Sequence, residues 1–375
     1  MLQSTLVYSL LMSVMIYCGI LSARRVALFP DRNISFIQFE ILFPMLLFAV
    51  IFGMRYGVGM DHLDYLEKFI DVASGAEITH GEYLFKLITT FFAKNGFHYV
   101  YYFAFWAFIQ IFFLYYAFKE ERYLLPFLVF VLFAGGYYLG WMNVIRQNAV
   151  VCIFIYSIKF IKEKKIILYL LCILFGFFIH KSALLLVFLY PILIKDRDYF
   201  KSITFQMILL VIAFCLKGFN NWLMYFDKMG IFISFFGYET YEIKYVEQLL
   251  VKTNSGFGFL ILFFIDILIV LYSKRLKKTF SSTKFQIFYN LYFVGSLMSL
   301  FFMGSIVLQR PVLYFSSMKL IVASYFLYYL LKQVKTNIRG LVFCLVLFFY
   351  LSLYFAAIYM GDTNTAQFVF FWQAK

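Results

Sequence analysis

Apolar runs long enough to cross a bilayer recur from one end of this 375-residue chain to the other. A hydrocarbon layer about 30 Å thick takes about 20 residues of helix. The runs are continuously apolar, without the in–out alternation over about ten residues that barrel strands show. The pattern predicts an all-α, polytopic transmembrane helix bundle. Composition agrees: 64% of residues are hydrophobic and 14% charged, against about 25% charged in a soluble domain. Charge is too scarce to cover such a surface in water.

Spans are expected at about 4–22, 35–54, 98–118, 123–141, 144–161, 166–179, 182–194, 202–218, 257–273, 285–304, 306–331 and 340–360. That is roughly twelve, within a range of about 10 to 13, and the short pair 166–194 can also be a hairpin that stops partway. No Pro/Gly/Ser linker or shift in composition divides the chain, so 1–375 is expected to be one integral membrane domain. The first run, Ser4 to Ala23, has no basic stretch before it and is followed by Arg24 and Arg25, the signature of a retained span rather than a cleaved signal. The five cysteines lie in apolar runs without C-x-x-C spacing, which removes zinc and redox motifs.

The formal net charge of +14 would suggest nucleic acid in a soluble protein. Here most Lys and Arg fall in short loops around 24–32, 119–122, 159–165, 195–201, 274–284 and 332–339, as the positive-inside rule requires of cytoplasmic loops, and no nucleic-acid partner is expected. Both termini are then expected outside. The outer loops at about 55–97 and 219–257 are longer and acidic. The first contains an amphipathic stretch, Gly81 to Lys94, expected at the membrane interface or packed on the bundle; the second is rich in Tyr, Phe and Glu. The cytoplasmic loops leave no room for a nucleotide-binding domain and no Walker sequence occurs, which excludes ATP-driven transport by this chain alone.

Four basic elements fall near the outer ends of spans: Arg55 in FGMRYGVGMD, Arg146–Gln147 in WMNVIRQNAV, His180 in FFIHKSALLL and Arg310 in VLQRPVLYF. An arginine beside a span is costly unless it snorkels or finds a partner. Each could be an interfacial anchor, but three at one depth suggest a shared anion, and guanidinium groups bind phosphate oxygens in forked pairs. Asp61, His62, Asp64 and Tyr65 follow the Gly57–Gly59 turn. They suit a sugar-binding loop better than a metal site, which needs more oriented ligands. Neither a metal nor another cofactor is expected. Glu40, Asp266 and Lys319 are intramembrane charges, which either serve function or pair with one another.

At these same residues the chain resembles the EpsG-like branch of Wzy-type polysaccharide polymerases. The matching elements are Arg55-Tyr56-Gly57-x-Gly59-x-Asp61 with Tyr65 beyond, Glu82-Tyr83, Arg146-Gln147-x-Ala149, His180-x-Ser182-Ala183 and Arg310-x-x-x-Tyr314, in order over roughly residues 50–315. One departure is Asp61-His62, where family members commonly have Asp-Tyr. The resemblance implies a glycosyltransferase in the bacterial cytoplasmic membrane with its active site facing the periplasm or exterior. It would join polyprenyl-diphosphate-linked oligosaccharide repeat units of an O-antigen, capsule or exopolysaccharide, and release polyprenyl diphosphate without nucleotide or metal. Donor and acceptor are both lipid-linked, and a flippase and a chain-length regulator are implied partners.

Within that chemistry Arg55, Arg146 and Arg310 are expected to bind the diphosphate, where charge develops on the leaving group. His180 is expected to be the general base, kept neutral by Lys181 beside it. Asp61 would orient it or serve as the base instead. Gln147, Asp64, Tyr65, Glu82 and Tyr314 are expected to bind or orient the glycan. The rivals are a transporter or flippase of lipid-linked oligosaccharide and an outer-face glycan ligase. A transporter would show an internal repeat and charges along a central cavity, and no convincing repeat is visible.

Overall fold

In a computed structural model that describes residues 1–29, 34–78, 81–216, 256–303, 306–332, 337–361 and 366–374, each expected span coincides with helix. In chain order these are α1 (Leu2–Leu28), α2 (Phe39–Gly53), α3 (His62–Ala73), α4 (Tyr83–Lys94), α5 (Tyr99–Ala117), α6 (Leu125–Ala134), α7 (Tyr137–Asn143), α8 (Ile145–Lys162), α9 (Ile166–Ile179), α10 (Tyr190–Leu193) and α11 (Ile203–Leu216). Then come α12 (Phe257–Thr279), α13 (Phe285–Phe301), α14 (Ile306–Ser316), α15 (Met318–Lys332) and α16 (Asn337–Met360). The expected second outer loop, 219–257, lies almost entirely outside the described residues.

Among the described residues fewer helices qualify as full crossings by length and composition than the hydropathy runs suggest. Among the described residues five helices are both long and apolar enough to cross a membrane, or six if a bent pair counts as one span. Five more, such as Phe39–Gly53 and Ile166–Ile179, are apolar but only 10–17 residues long. At 1.5 Å per residue they reach at most about 26 Å, short of a 30 Å layer. The run 123–141 is the bent pair: its two helices meet at 70°, where Gly136 adopts a left-handed φ of 75°. The run 182–194 is not an α-helix at its start. It is a 3₁₀ segment, Lys181–Leu189, followed by the single turn of α10.

Helix α8 is the centre. Its buried residues run almost without interruption from Ile145 to Ile161, the mark of a helix covered on every side, and it packs on α5 and α9 while α5 packs on α2. Gly53 permits the α2–α5 approach, because a Cβ there would lie 2.5 Å from the Val100 carbonyl oxygen. The peripheral helices turn apolar side chains outward: Ile167, Leu171, Leu174 and Phe175 of α9 are exposed, as are Leu341 and Phe348 of α16. In water such faces would aggregate, whereas a helix bordering lipid is apolar where it meets acyl chains.

The intramembrane charges find partners. Lys319 Nζ lies 2.6 Å from Asp266 Oδ2, the Tyr292 hydroxyl donates to Asp266 Oδ1 at 2.9 Å, and Arg25 Nε pairs with Glu40 at 3.0 Å. Contacts among the described loops fall into two groups. At one end Lys284 meets Glu121, Lys162 meets Asp196 and Lys277 meets Asp198. The other end joins 55–61 to 142–143, Glu82 to Arg146 and both termini to one another through Gln3 and Gln373. The amphipathic stretch forms α4, which packs on α3, α5 and α9 with Phe85, Thr89 and Ala93 inward.

Candidate active site

The break between α7 and α8 organises the site end. A helix terminus leaves carbonyls without intrahelical donors, and here side chains supply them. Asn148 Nδ2 donates to the carbonyls of Gly140 and Val144, at 2.8 and 3.1 Å. Gln110 Nε2 donates to those of Trp141 and Ile145, both at 3.1 Å. Arg55 takes a third position: its guanidinium donates to the Met142 carbonyl at 2.9 Å, to Val58 at 3.2 Å and also to Phe52, and it lies over the Phe103 ring. Only 1% of Arg55 is exposed.

Arg55 is therefore spent on the backbone. Among the described residues the donors of its guanidinium go to backbone carbonyls, an arrangement that holds the chain. It fixes the turn that follows. Gly59 has φ 98°, and a Cβ there would stand 3.0 Å from the Met142 carbonyl oxygen, so the turn needs glycine on both counts. The turn then delivers Asp61, whose backbone N–H donates to Asn143 Oδ1 at 2.9 Å.

The other predicted residues gather around Arg146, near the start of α8. Its Nη1 lies 2.6 Å from Glu82 Oε2 and its Nε donates to the Tyr65 hydroxyl at 3.4 Å. The guanidinium also lies over the Phe85 ring at 4.6 Å. The second oxygen of Glu82 accepts the Lys181 backbone N–H at 3.2 Å, which ties α4 to the α9 turn. Burial alone would raise the Glu82 carboxyl, but Arg146, then His180 and the Lys181 N–H, outweigh it and hold Glu82 below its ordinary range.

At that turn His180 is buried, and its Nδ1 lies 2.7 Å from Ser182 Oγ and accepts the Ser182 backbone N–H at 3.3 Å. Ser182 Oγ in turn lies 2.7 Å from the Tyr314 hydroxyl. A backbone N–H can only donate, so Nδ1 must present its lone pair. In the neutral ring the proton then sits on Nε2. Burial is the main force holding His180 below its ordinary value; Glu82 pulls it up, and Arg146 and Arg310 push it down again. The like-charge effect expected of Lys181 comes instead from these two arginines.

Gln147 Nε2 donates to the Arg310 backbone carbonyl, joining α8 to α14, while its Oε1 is buried with no hydrogen-bond partner among the described residues. Asp61 sits within electrostatic reach of Arg310 and Arg146. Its carboxylate has no hydrogen-bond or ion-pair partner among the described residues, since only its backbone N–H is engaged. Burial raises its carboxyl above the usual aspartate value; Arg310 and Arg146 oppose that shift and Asp64 adds to it. Asp64 itself is exposed. The structure thus brings together Asp61, Tyr65, Glu82, Arg146, Gln147, His180, Arg310 and Tyr314, and leaves Arg55 and Asp64 outside the contact network.

Sequence reasoning missed Ser182 and Asn143 as site residues. Ser182 was visible two residues after His180; Asn143 carries no local signal, because its partner is 82 positions away. His62 is fully buried against Phe103, with ring centroids 4.3 Å apart, and neither of its nitrogens has a hydrogen-bond partner among the described residues. Burial, reinforced by Arg55, lowers its value to about 2 and keeps it neutral. Among the described residues no three His, Cys, Asp or Glu side chains converge as a metal-binding group.

The sequence profile described as the EpsG family matches residues 39–371, a stretch that contains the whole cluster. No curated protein and no solved structure matches the chain.

Proposed function

We propose, from the premise that this chain belongs to the EpsG family, which is associated with exopolysaccharide biosynthesis, that it is a polysaccharide polymerase acting on polyprenyl-diphosphate-linked repeat units. The single observation that carries this reading is a half-buried cationic group, Arg146 with Arg310, within electrostatic reach of Asp61, a carboxylate without a hydrogen-bond or ion-pair partner among the described residues, at the same end of the bundle. Such a site suits an already activated donor whose leaving group is a diphosphate, and it asks for no nucleotide.

In the proposed reaction the acceptor sugar hydroxyl attacks the anomeric carbon of the donor. Its proton passes to Asp61, a C–O bond forms to the acceptor, and the bond from the anomeric carbon to the diphosphate oxygen breaks with its electron pair. Polyprenyl diphosphate leaves against Arg146 and Arg310, where preorganised cations stabilise the developing charge. A single displacement of this kind inverts the anomeric carbon.

The base is Asp61 rather than His180. A base must offer a free lone pair, and the only lone pair of His180 is engaged by Ser182. The Nε2–H of His180 is a donor, suited to a phosphate or sugar oxygen. Tyr65, Glu82, Gln147 and Tyr314 hold the arginines and the histidine in place. Arg55 is a positioning residue for the turn that carries Asp61.

The test is a deletion strain analysed for surface glycan. Polymerase loss leaves single repeat units and no long-chain ladder, and Arg146→Gln or Asp61→Asn at normal protein level should reproduce that pattern. Loss of the single-unit species as well would instead indicate flipping. Intact ladders from both variants would overturn the site.

A further inference from the structure

The proposed reaction uses one end of the bundle and leaves a second, independent constellation at the other. Between the end of α5, the end of α8 and the turn before α13 lies a cleft of about 270 Å³. Four lysines line it, Lys119, Lys159, Lys162 and Lys284, together with Glu120, Glu121 and Glu163. Most of these charges have internal partners that account for them. Lys284 pairs with Glu121 at 3.2 Å and donates to the Ala117 carbonyl at 2.6 Å, while Lys162 pairs with Asp196 at 2.6 Å. Glu163 faces Lys165 at 2.7 Å.

Lys119 and Lys159 differ. Both are half-buried and neither ammonium group has an ion pair or hydrogen bond among the described residues. Both ammonium groups instead lie over the same ring, that of Tyr116, at 5.0 and 5.4 Å from its centroid. Lys159 is further held over Tyr156 at 4.5 Å and Phe160 at 4.7 Å. Two cations gathered around one ring repel each other, and a ring quadrupole offers each only a weak partner. An anion between them would convert both into charge-assisted hydrogen bonds. Among the carboxylates that share the cleft, Glu121 is paired with Lys284 and Glu120 is exposed, while Glu163 lies within electrostatic reach of both lysines but is ion-paired with Lys165.

We propose that this cleft binds the phosphate of an anionic phospholipid from the adjoining leaflet, clamped by Lys119 and Lys159 over Tyr116. Its volume falls below the range of about 300–1,000 Å³ typical of small-molecule pockets, which fits a headgroup rather than a nucleotide. Its position at helix ends places it at headgroup level, where basic pockets between helices recognise anionic lipids. This inference does not depend on the polymerase reading.

The experiment is native mass spectrometry of the full-length protein loaded with phosphatidylglycerol or with phosphatidylcholine of the same acyl chains. The wild type should retain one phosphatidylglycerol at collision energies that strip phosphatidylcholine. The K119Q/K159Q double variant should hold that lipid about tenfold more weakly or worse. A K195Q/K201Q variant, which removes the same charge from an exposed loop outside the cleft, should behave as wild type. Equal retention by wild type and K119Q/K159Q, or equal retention of the two lipids, would overturn the proposal. Displacement of the bound lipid by excess inorganic phosphate would overturn the lipid assignment.

Discussion

Two arginines at the same end of the bundle, Arg55 and Arg146, look alike in the sequence and do different work in the fold. Arg55 is 1% exposed, and among the described residues its guanidinium meets only backbone carbonyls and a ring. Arg146 keeps 24% of its side chain exposed and faces a carboxylate that is itself shared with the next turn. A guanidinium saturated by carbonyls holds a chain in place, because removing it strands several buried acceptors at once. One paired with a single carboxylate can exchange that partner for a phosphate. The distinction lies in the chemistry of the partner, not in the arginine.

The largest expected effect concerns what the Arg55 turn delivers. Asp61→Asn should lower polymerisation by about 10²–10⁴-fold, the usual contribution of a positioned base, with protein level unchanged. Because burial raises the Asp61 carboxyl, kcat/KM should rise with pH through a value above that of an ordinary aspartate and fall away below it, where the base is protonated. A flat acid limb in a reconstituted assay would remove Asp61 from that role.

Next, Arg146→Gln should cost about 10²–10³-fold in kcat per folded molecule, as loss of one preorganised donor to a developing anion does. Arg55→Lys should show the reverse. It leaves buried carbonyls unsatisfied and should destabilise by about 1–3 kcal/mol, yet turnover per folded molecule should stay near wild type. A swap of these two outcomes would break the comparison.

The smallest effect belongs to His62. Its folded value, about 2, lies below the ordinary 6.5, so between these limits the unfolded chain binds a proton that the folded chain refuses. Stability is therefore full above pH 6.5 and declines as pH falls, by at most about 1.4 kcal/mol per unit. His62→Phe should flatten this slope, read from denaturation midpoints between pH 7 and pH 5; an unchanged slope would contradict it.

How much was legible beforehand follows from range. Helices were, because continuous apolar runs are a local property, and each expected stretch is helical. The number of full crossings was not: a run of 15 residues such as Phe39–Gly53 reads as a span but is too short to be one unaided. The Gly135–Gly136 pair announced the bend after α6, yet hydropathy alone passed over it. The loop charges put Arg55, Arg146, His180 and Arg310 at one expected depth, and of these Arg146, His180 and Arg310 lie within electrostatic reach of one another, with Asp61 beside the two arginines. The role of Arg55 was not, because its decisive partner, the Met142 carbonyl, is 87 positions distant and has no side-chain signature. Asp266 and Lys319 were visible only as two costly charges; their pairing at 2.6 Å is a tertiary fact.

That pairing also bears on the transporter alternative. A buried Asp–Lys pair closed by a tyrosine hydroxyl is a satisfied structural unit, whereas a translocation path asks for charges that open to a cavity.

The most direct test of the central claim is polymerisation by the purified protein in vesicles, given lipid-linked repeat units, no nucleotide and a chelator. A ladder of products with release of one polyprenyl diphosphate per linkage is expected from the wild type, and from Arg55→Lys when normalised to folded protein, but not from Asp61→Asn. Repeat units that cross the bilayer without being joined, or an undiminished ladder from Asp61→Asn, would contradict it.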